Sequence, residues 1–430
     1  MKASSKALIA VVGAGVVGGT AAAEQPVTGP VAVYWMSAAT TSGMTGMPGM
    51  GGMGGPGAGG PPPQQQAPRR PGLGAMMGMA LGGAPPPGMY GGRGGPGGPG
   101  GAGTGRPGMG GYPGMGGGGA SHTLTLQLGS TQRAQGEPQA AHLPPDALGA
   151  GESLPLVTPR VAPPEPAEPS EPPRMTQGQR PRGRMLIYWG CGEHAAAPPV
   201  VIDFSKIGPN MPPPNIPFVV ANGGRPPSPG RYATYGEWPN ERSASTVPPD
   251  GSLVGAHTVR GNYSPEIHFN LGPNQDFLGP LNIVDSSPTP EGGRHVAWDA
   301  VPGATGYYAW MVGAQDRGET VVMWSSGSAA TMMGGALADY LPPGEVRRLI
   351  AQRMVMAPQT TECVVPAEVI KASPFGMLSM IAYGEETDMA DPPRPRDPKV
   401  AWNIRWTVKV RRKSTTGTLL GMPAGARGGY

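Results

Sequence analysis

Four methionines, Met44, Met47, Met50 and Met53, recur every third residue. Thioethers are soft ligands that suit Cu(I), so the run is a candidate copper site. The alternative is methionine as one permissive residue type in a Gly/Pro-rich tract. A second candidate is Cys191-Gly192-Glu193-His194, a Cys-x-x-His half of a metal site with no second pair to complete it. The only other cysteine is Cys363. In an oxidising compartment that count leaves one intramolecular pair and predicts a Cys191–Cys363 disulfide, against two separate buried thiols. Third, Arg405, Lys409, Arg411, Arg412 and Lys413 gather at the end of the last strand pattern. Such a basic edge either meets an anionic partner (polysaccharide, lipid head groups or protein) or solubilises an edge strand and blocks its pairing.

Nothing else in the chain has the spacing of a catalytic or cofactor motif. There is no G-x-S-x-G, H-E-x-x-H or Walker loop, and the Gly13-x-Gly15 fingerprint mimic sits in an N-terminal apolar run. The six histidines, His122, His142, His194, His257, His268 and His295, are scattered. The expectation is therefore a protein that is not an enzyme, with no catalytic residue, no cofactor and no resident metal beyond the Met-rich candidate. A hydrolase whose groups converge from distant positions is the rival class.

The elements that must position these residues come from two different materials. Of 430 residues, 74 are Gly and 57 Pro, about 30% of the chain, and they concentrate in its first half. Residues 1–23 read as a secretory signal peptide: Lys2 and Lys6, an apolar run from Ala7 to Gly19, then Ala21-Ala22-Ala23 as a small-residue cleavage site. The run is too short to span a bilayer, and no other stretch is long and apolar enough. Export follows, to the periplasm, cell surface or outside. The net charge of +4 gives no reason to expect a nucleic-acid partner.

After a first strand region at 24–41, residues 42–120 (Gly/Met/Pro) and 134–183 (Pro-rich) are expected to be disordered, because such segments cannot bury enough apolar surface to offset their ordering entropy. Between them, at 121–133, Leu124, Leu126 and Leu128 alternate with Thr123, Thr125 and Gln127 as in a half-buried strand. Val31 to Met36 and Met185 to Gly190 share an apolar-Tyr-Trp pattern, as two neighbouring or symmetry-related strands would. Residues 184–290 read as a β-region, with RYATYGEWPN (Arg231 to Asn240) as an aromatic loop. Gly344 to Met356 is the one helical pattern, with Val346, Leu349, Ile350 and Met354 on one face.

Residues 291–413 are the most readable. Val296, Trp298 and Ala300 alternate with His295, Ala297 and Asp299, Val301 to Gly306 is turn chemistry, and Tyr307 to Val312 and Thr320 to Trp324 are further strands. The run W-D-A-V-P-G-A-T-G-Y-Y resembles the B–C hairpin of fibronectin type III domains. The resemblance implies a β-sandwich with Trp298 in its core, and either Tyr308, Trp310 and Val312 or the opposite parity, Tyr307 and Met311, facing inward. Six strands are countable where that fold needs about seven. Residues 414–430 read as a tail. The fold class expected is mainly β: a C-terminal sandwich with one inserted helix, and an N-terminal β-region interrupted by low-complexity segments. The expected function is an envelope structural or interaction module that meets a protein or polysaccharide; copper handling is the alternative.

Overall fold

Period-two alternation is answered by strands throughout, sixteen of them among the described residues. The computed structural model describes residues 29–43, 119–159, 183–206, 221–243, 246–330, 336–397 and 399–421. The expected signal peptide and the four candidate copper methionines lie outside them. The chain is mainly β, in three sheets.

The largest sheet has nine strands. Its middle is β12 (Ala304–Gln315), β13 (Thr320–Ser325), β15 (Gly376–Asp391) and β16 (Trp406–Leu420). Outside β13 lie β5 (Arg184–Trp189) and β6 (Val200–Asp203); outside β16 lie β1 (Ala32–Gly43), β2 (Ser121–Ser130) and β7 (Thr234–Trp238). The order is β6-β5-β13-β12-β15-β16-β1-β2-β7. Pairing is antiparallel except at two places: β5 runs parallel to β13, and β1 parallel to β16. The two Tyr-Trp strands are therefore not neighbours. They occupy equivalent places, each docking in parallel on one edge of the four middle strands and each followed outward by an antiparallel partner.

Two smaller sheets sit side by side on one face. One is β10 (Ile283–Asp285), β11 (Arg294–Trp298) and β14 (Glu362–Val365), in the order β10-β11-β14. Its core holds Val296, Trp298, Tyr307, Met311, Trp324 and Met380. The other is β3 (Ala140–Leu143), β4 (Leu154–Leu156), β8 (Gly255–Gly261) and β9 (Ile267–Leu271), closed on Tyr34, Met36, Leu126, Val408 and Val410. Between these cores the sheet is polar, and the segment joining β9 to β10 is hydrogen-bonded down onto it. Thr40 and Ser42 hydroxyls donate to the Leu278 and Leu281 carbonyls at 2.6 and 2.5 Å, and Arg412 donates to the carbonyls of Asn274 and Asp276 at 2.7 and 3.1 Å. The opposite face is covered in part by α1 (Pro343–Ala351), whose Val346 and Leu349 meet Tyr308, Ile381 and Tyr383. A second helix, α2 (Ala367–Ala372), follows β14.

Several expectations are corrected. The expected N-terminal β-region has no sheet of its own apart from the sandwich, since five of the nine strands of the largest sheet come from before residue 240. The expected low-complexity block at 134–183 contains β3, β4 and a short turn at Asp146–Leu148, with Leu148, Leu154 and Leu156 buried. The block expected to begin at residue 42 starts inside β1. RYATYGEWPN contains the strand β7 rather than a loop only. The tail expected from 414 is strand as far as Leu420, part of a strand that begins at Trp406. Tyr307 and Met311 take the sandwich side of β12, while Tyr308 and Trp310 face α1; both parities are packed because both faces of the strand are covered. The helix is shorter than its pattern and ends at Ala351.

Candidate functional site

The five basic residues do not form an edge. Strand β16 lies inside the sheet, with β15 on one side and β1 on the other. Alternation sends Lys409, Arg411 and Lys413 to the α1 face and Arg412 to the other, where backbone carbonyls receive it. Arg411 is 7% exposed and Arg412 6%. Neither exposure fits a solubilising edge.

On the α1 face the cations interleave with two rings. The Arg411 guanidinium lies 4.9 Å from the Trp35 ring centre and 4.4 Å from that of Tyr340, with its Nε–H donating to Ser37 Oγ at 2.7 Å. Lys413 stands 4.5 Å over Tyr340, and Lys409 5.6 Å over Trp35. All four distances are within the range of cation–π attraction. Lys409 also reaches Glu386 and Asp388, each at 2.8 Å. Burial pulls the Lys409 pKa down, but those two hydrogen bonds more than offset it and the net shift is upward. Lys413 is pulled down by burial, against the opposing effect of Asp339 at 3.6 Å. Gly224, at φ +72°, lets a loop pass over this stack: a Cβ there would stand 3.0 Å from the tip of Trp35.

The histidines, scattered in sequence, are partly assembled. Tyr34 of β1, His142 of β3 and His257 of β8 form a buried chain: Tyr34 Oη to His142 Nδ1 is 2.9 Å, His142 Nε2 to His257 Nδ1 is 3.1 Å, and His257 Nε2 to the Leu253 carbonyl is 2.7 Å. A carbonyl only accepts, so His257 carries its proton on Nε2. Its Nδ1 then accepts from His142 Nε2–H, and His142 Nδ1 accepts from the Tyr34 hydroxyl. One tautomer of each neutral ring satisfies every bond. Burial pushes the His142 pKa well down, with the neighbouring His257 adding to this, and burial pushes His257 down as well. Phe269 stacks on His257 with ring centres 4.8 Å apart.

Two other histidines have the reverse environment. His295 Nδ1 is 2.8 Å from Asp285 and its Nε2 3.1 Å from Glu362, a bridge across all three strands of the β10-β11-β14 sheet. His194 lies between Glu291 at 2.8 Å and Glu368 at 3.1 Å. Hydrogen bonds to Asp285 and Glu362 raise the His295 pKa, and the hydrogen bond to Glu368 leads the rise at His194. Beside His194, Cys191 and Cys363 are joined by a disulfide with Cα atoms 5.3 Å apart. The bond, with Gly192 N–H donating to the Val364 carbonyl at 2.9 Å, fastens the segment after β5 along β14. Cys191 and His194 are thus committed to a disulfide and to carboxylates, and among the described residues no group of three His, Cys, Asp or Glu side chains is placed to hold a metal.

Sequence reasoning missed the Tyr34–His142–His257 chain because its members are 108 and 115 residues apart. The available signal was His257 sharing a face with Val259 on β8; β3 is too short to show a face around His142. No helix among the described residues is long and apolar enough to cross a membrane. No family model, curated protein or solved structure significantly matches the chain.

Proposed function

We propose that the protein is an exported envelope interaction module built on a fibronectin type III-like core. One observation carries the reading. Seven consecutive strands, β10 to β16, are divided as β10-β11-β14 in one sheet and β13-β12-β15-β16 in the facing sheet. That is the order in which a fibronectin type III domain distributes its strands, three against four, with Trp298 on the second strand packed at 5.6 Å against Tyr307 on the third. Departures from that fold are α1, inserted before the fifth strand, and the parallel strands β5 and β1 added on the two sides. Export rests on the pattern of residues 1–23 and on the Cys191–Cys363 bond, which suits an oxidising compartment.

The titratable clusters favour binding over catalysis. Each is committed to internal partners: the Tyr34–His142–His257 chain is sealed in a core, Lys409 is held by two carboxylates, and His194 and His295 are each clamped by two. The test is co-sedimentation of the purified protein with envelope from its own cells, together with N-terminal sequencing of the endogenous protein. Saturable sedimentation and a start near Glu24 are expected. A cytosolic protein with Met1 intact, or no envelope binding, overturns the proposal.

A further inference from the structure

The end of the nine-stranded sheet where β16 begins is joined into one hydrogen-bonded ledge. Ala32 N–H donates to the Arg405 carbonyl at 3.1 Å, Thr131 N–H to the Val31 carbonyl at 2.9 Å, and the Thr234 hydroxyl to the Gln132 carbonyl at 2.8 Å. The ledge crosses β16, β1, β2 and β7, three inter-strand steps or about 15 Å.

At one end of it stands the connection from β15 to β16. Its base is pinned. Trp402 Nε1–H donates to the Pro392 carbonyl at 2.9 Å, Arg405 N–H to the Asp391 carbonyl at 2.7 Å, and the Arg405 side chain closes on the Asp391 carboxylate. Lys399 N–H donates to Asp397 Oδ1 at 2.9 Å, and Arg394 lies 5.7 Å over the Trp402 ring. From this base Arg394, Arg396 and Lys399 are exposed, and none of the three forms an ion pair with another described residue. At the other end is an open cleft of about 470 Å³ lined in part by Arg133, Thr158, Tyr232 and Tyr235. The Tyr232 ring rests on Gly129, where a Cβ would come within 2.6 Å of it. Arg133 is exposed. The acids beside the cleft are engaged: Glu237 accepts from the Tyr235 hydroxyl at 2.5 Å, and Glu137 meets Arg242 at 3.6 Å.

We propose that this ledge binds an acidic polysaccharide, with its anionic groups on Arg133, Arg394, Arg396 and Lys399 and a sugar ring against Tyr232. The proposal rests on the envelope-module reading and names its partner. Cations at both ends of a ledge about 15 Å long suit a linear polyanion, and an aromatic, concave end suits a sugar ring; a membrane would need a flatter contact. The hydrogen bonds at the base of the connection hold the cations out before binding, which lowers the ordering cost.

The experiment uses the full chain and immobilised polygalacturonate, with dextran as the neutral control and phosphatidylglycerol vesicles as the lipid control. Binding to polygalacturonate and not to dextran is expected. It should weaken about tenfold or more between about 0.05 and 0.5 M salt, because exposed charges are screened. The variant carrying Arg394→Glu, Arg396→Glu and Lys399→Glu should lose about tenfold or more in affinity with an unchanged melting temperature. Tyr232→Phe should keep affinity, and Tyr232→Ala should lose it. Absence of binding, equal binding by the triple variant, or binding to the vesicles alone overturns the proposal. Envelope co-sedimentation run on the same triple variant separates the two readings. If it is retained in full while polygalacturonate binding fails, the module stands and this partner does not; if neither is seen, both fall.

Discussion

Replacing His142 by Phe would test the buried chain most directly. The ring volume stays, and so does the stacking against Tyr34, whose ring centre is 5.7 Å away. What is lost is a pair of hydrogen bonds. The Tyr34 hydroxyl and His257 Nδ1 are left without partners where Tyr34 is fully buried and His257 is 1% exposed. Each orphaned group costs about 1–3 kcal/mol, so the variant should be less stable by about 2–6 kcal/mol near neutral pH. Acid should then narrow the gap. In the folded protein His142 binds its proton well below the ordinary value of 6.5, while the unfolded chain binds it at that value. Below 6.5 the unfolded state therefore holds more protons, and folding stability falls with pH. The contribution is complete above 6.5 and is lost as pH drops through the depressed folded pKa. The maximal slope for one histidine is about 1.4 kcal/mol per pH unit. His122, also depressed by burial, is common to both proteins and cancels from the difference; His257, likewise depressed, is also in both and enters the difference only through the loss of its hydrogen bond from His142. Urea unfolding followed by tryptophan fluorescence, at steps from about pH 7.5 to pH 5.5, measures the gap. A gap that does not change with pH would mean that His142 binds its proton equally well in the folded and unfolded protein, a gap that widens in acid would mean that it is charged when folded, and a gap near zero at pH 7.5 would mean that the hydrogen-bond chain does not form.

Three further outcomes are expected. Trp298→Ala should destabilise the protein by about 3–5 kcal/mol, since a side chain 3% exposed in the sandwich core is removed; a loss under about 1 kcal/mol in the same unfolding assay would place Trp298 outside the core. Thiol titration of the denatured, unreduced protein should find none, and reduction should lower stability by up to about 5 kcal/mol, because the bond joins residues 172 apart; two free thiols per chain would refute the bridge. Arg411→Met should cost about 1–4 kcal/mol through loss of two desolvated cation–π contacts, whereas a solubilising edge residue would change stability by less than about 0.5 kcal/mol, so chemical denaturation distinguishes the two roles.

Local pattern was enough to find β1, β2, β5, β11, β12 and β13: β2 and β11 alternate with period two, and the other four are short runs of apolar, β-favouring residues bounded by turns. Alternation put Val296 and Trp298 on one face, the resemblance to a fibronectin type III hairpin implied that this face is inward, and the count of two cysteines named the pair that is joined. The short strands β3 and β4 escaped, since four and three residues among prolines carry no period; their leucines count only once the β1–β2 face is there to receive them. Three things were decided by tertiary structure alone. Which face of β12 meets the sandwich is undetermined locally, because α1 covers the other face and both sets of side chains are apolar. Whether Lys409, Arg411 and Lys413 lie on an edge depends on what lies beside β16, and the strand that pairs there, β1, precedes it by more than 370 residues. The Tyr34–His142–His257 chain exists only where β1, β3 and β8 meet. Alternation along a strand records which side chains share a face; it holds no record of which strand will lie alongside, and the chemistry of this protein is set by that second fact.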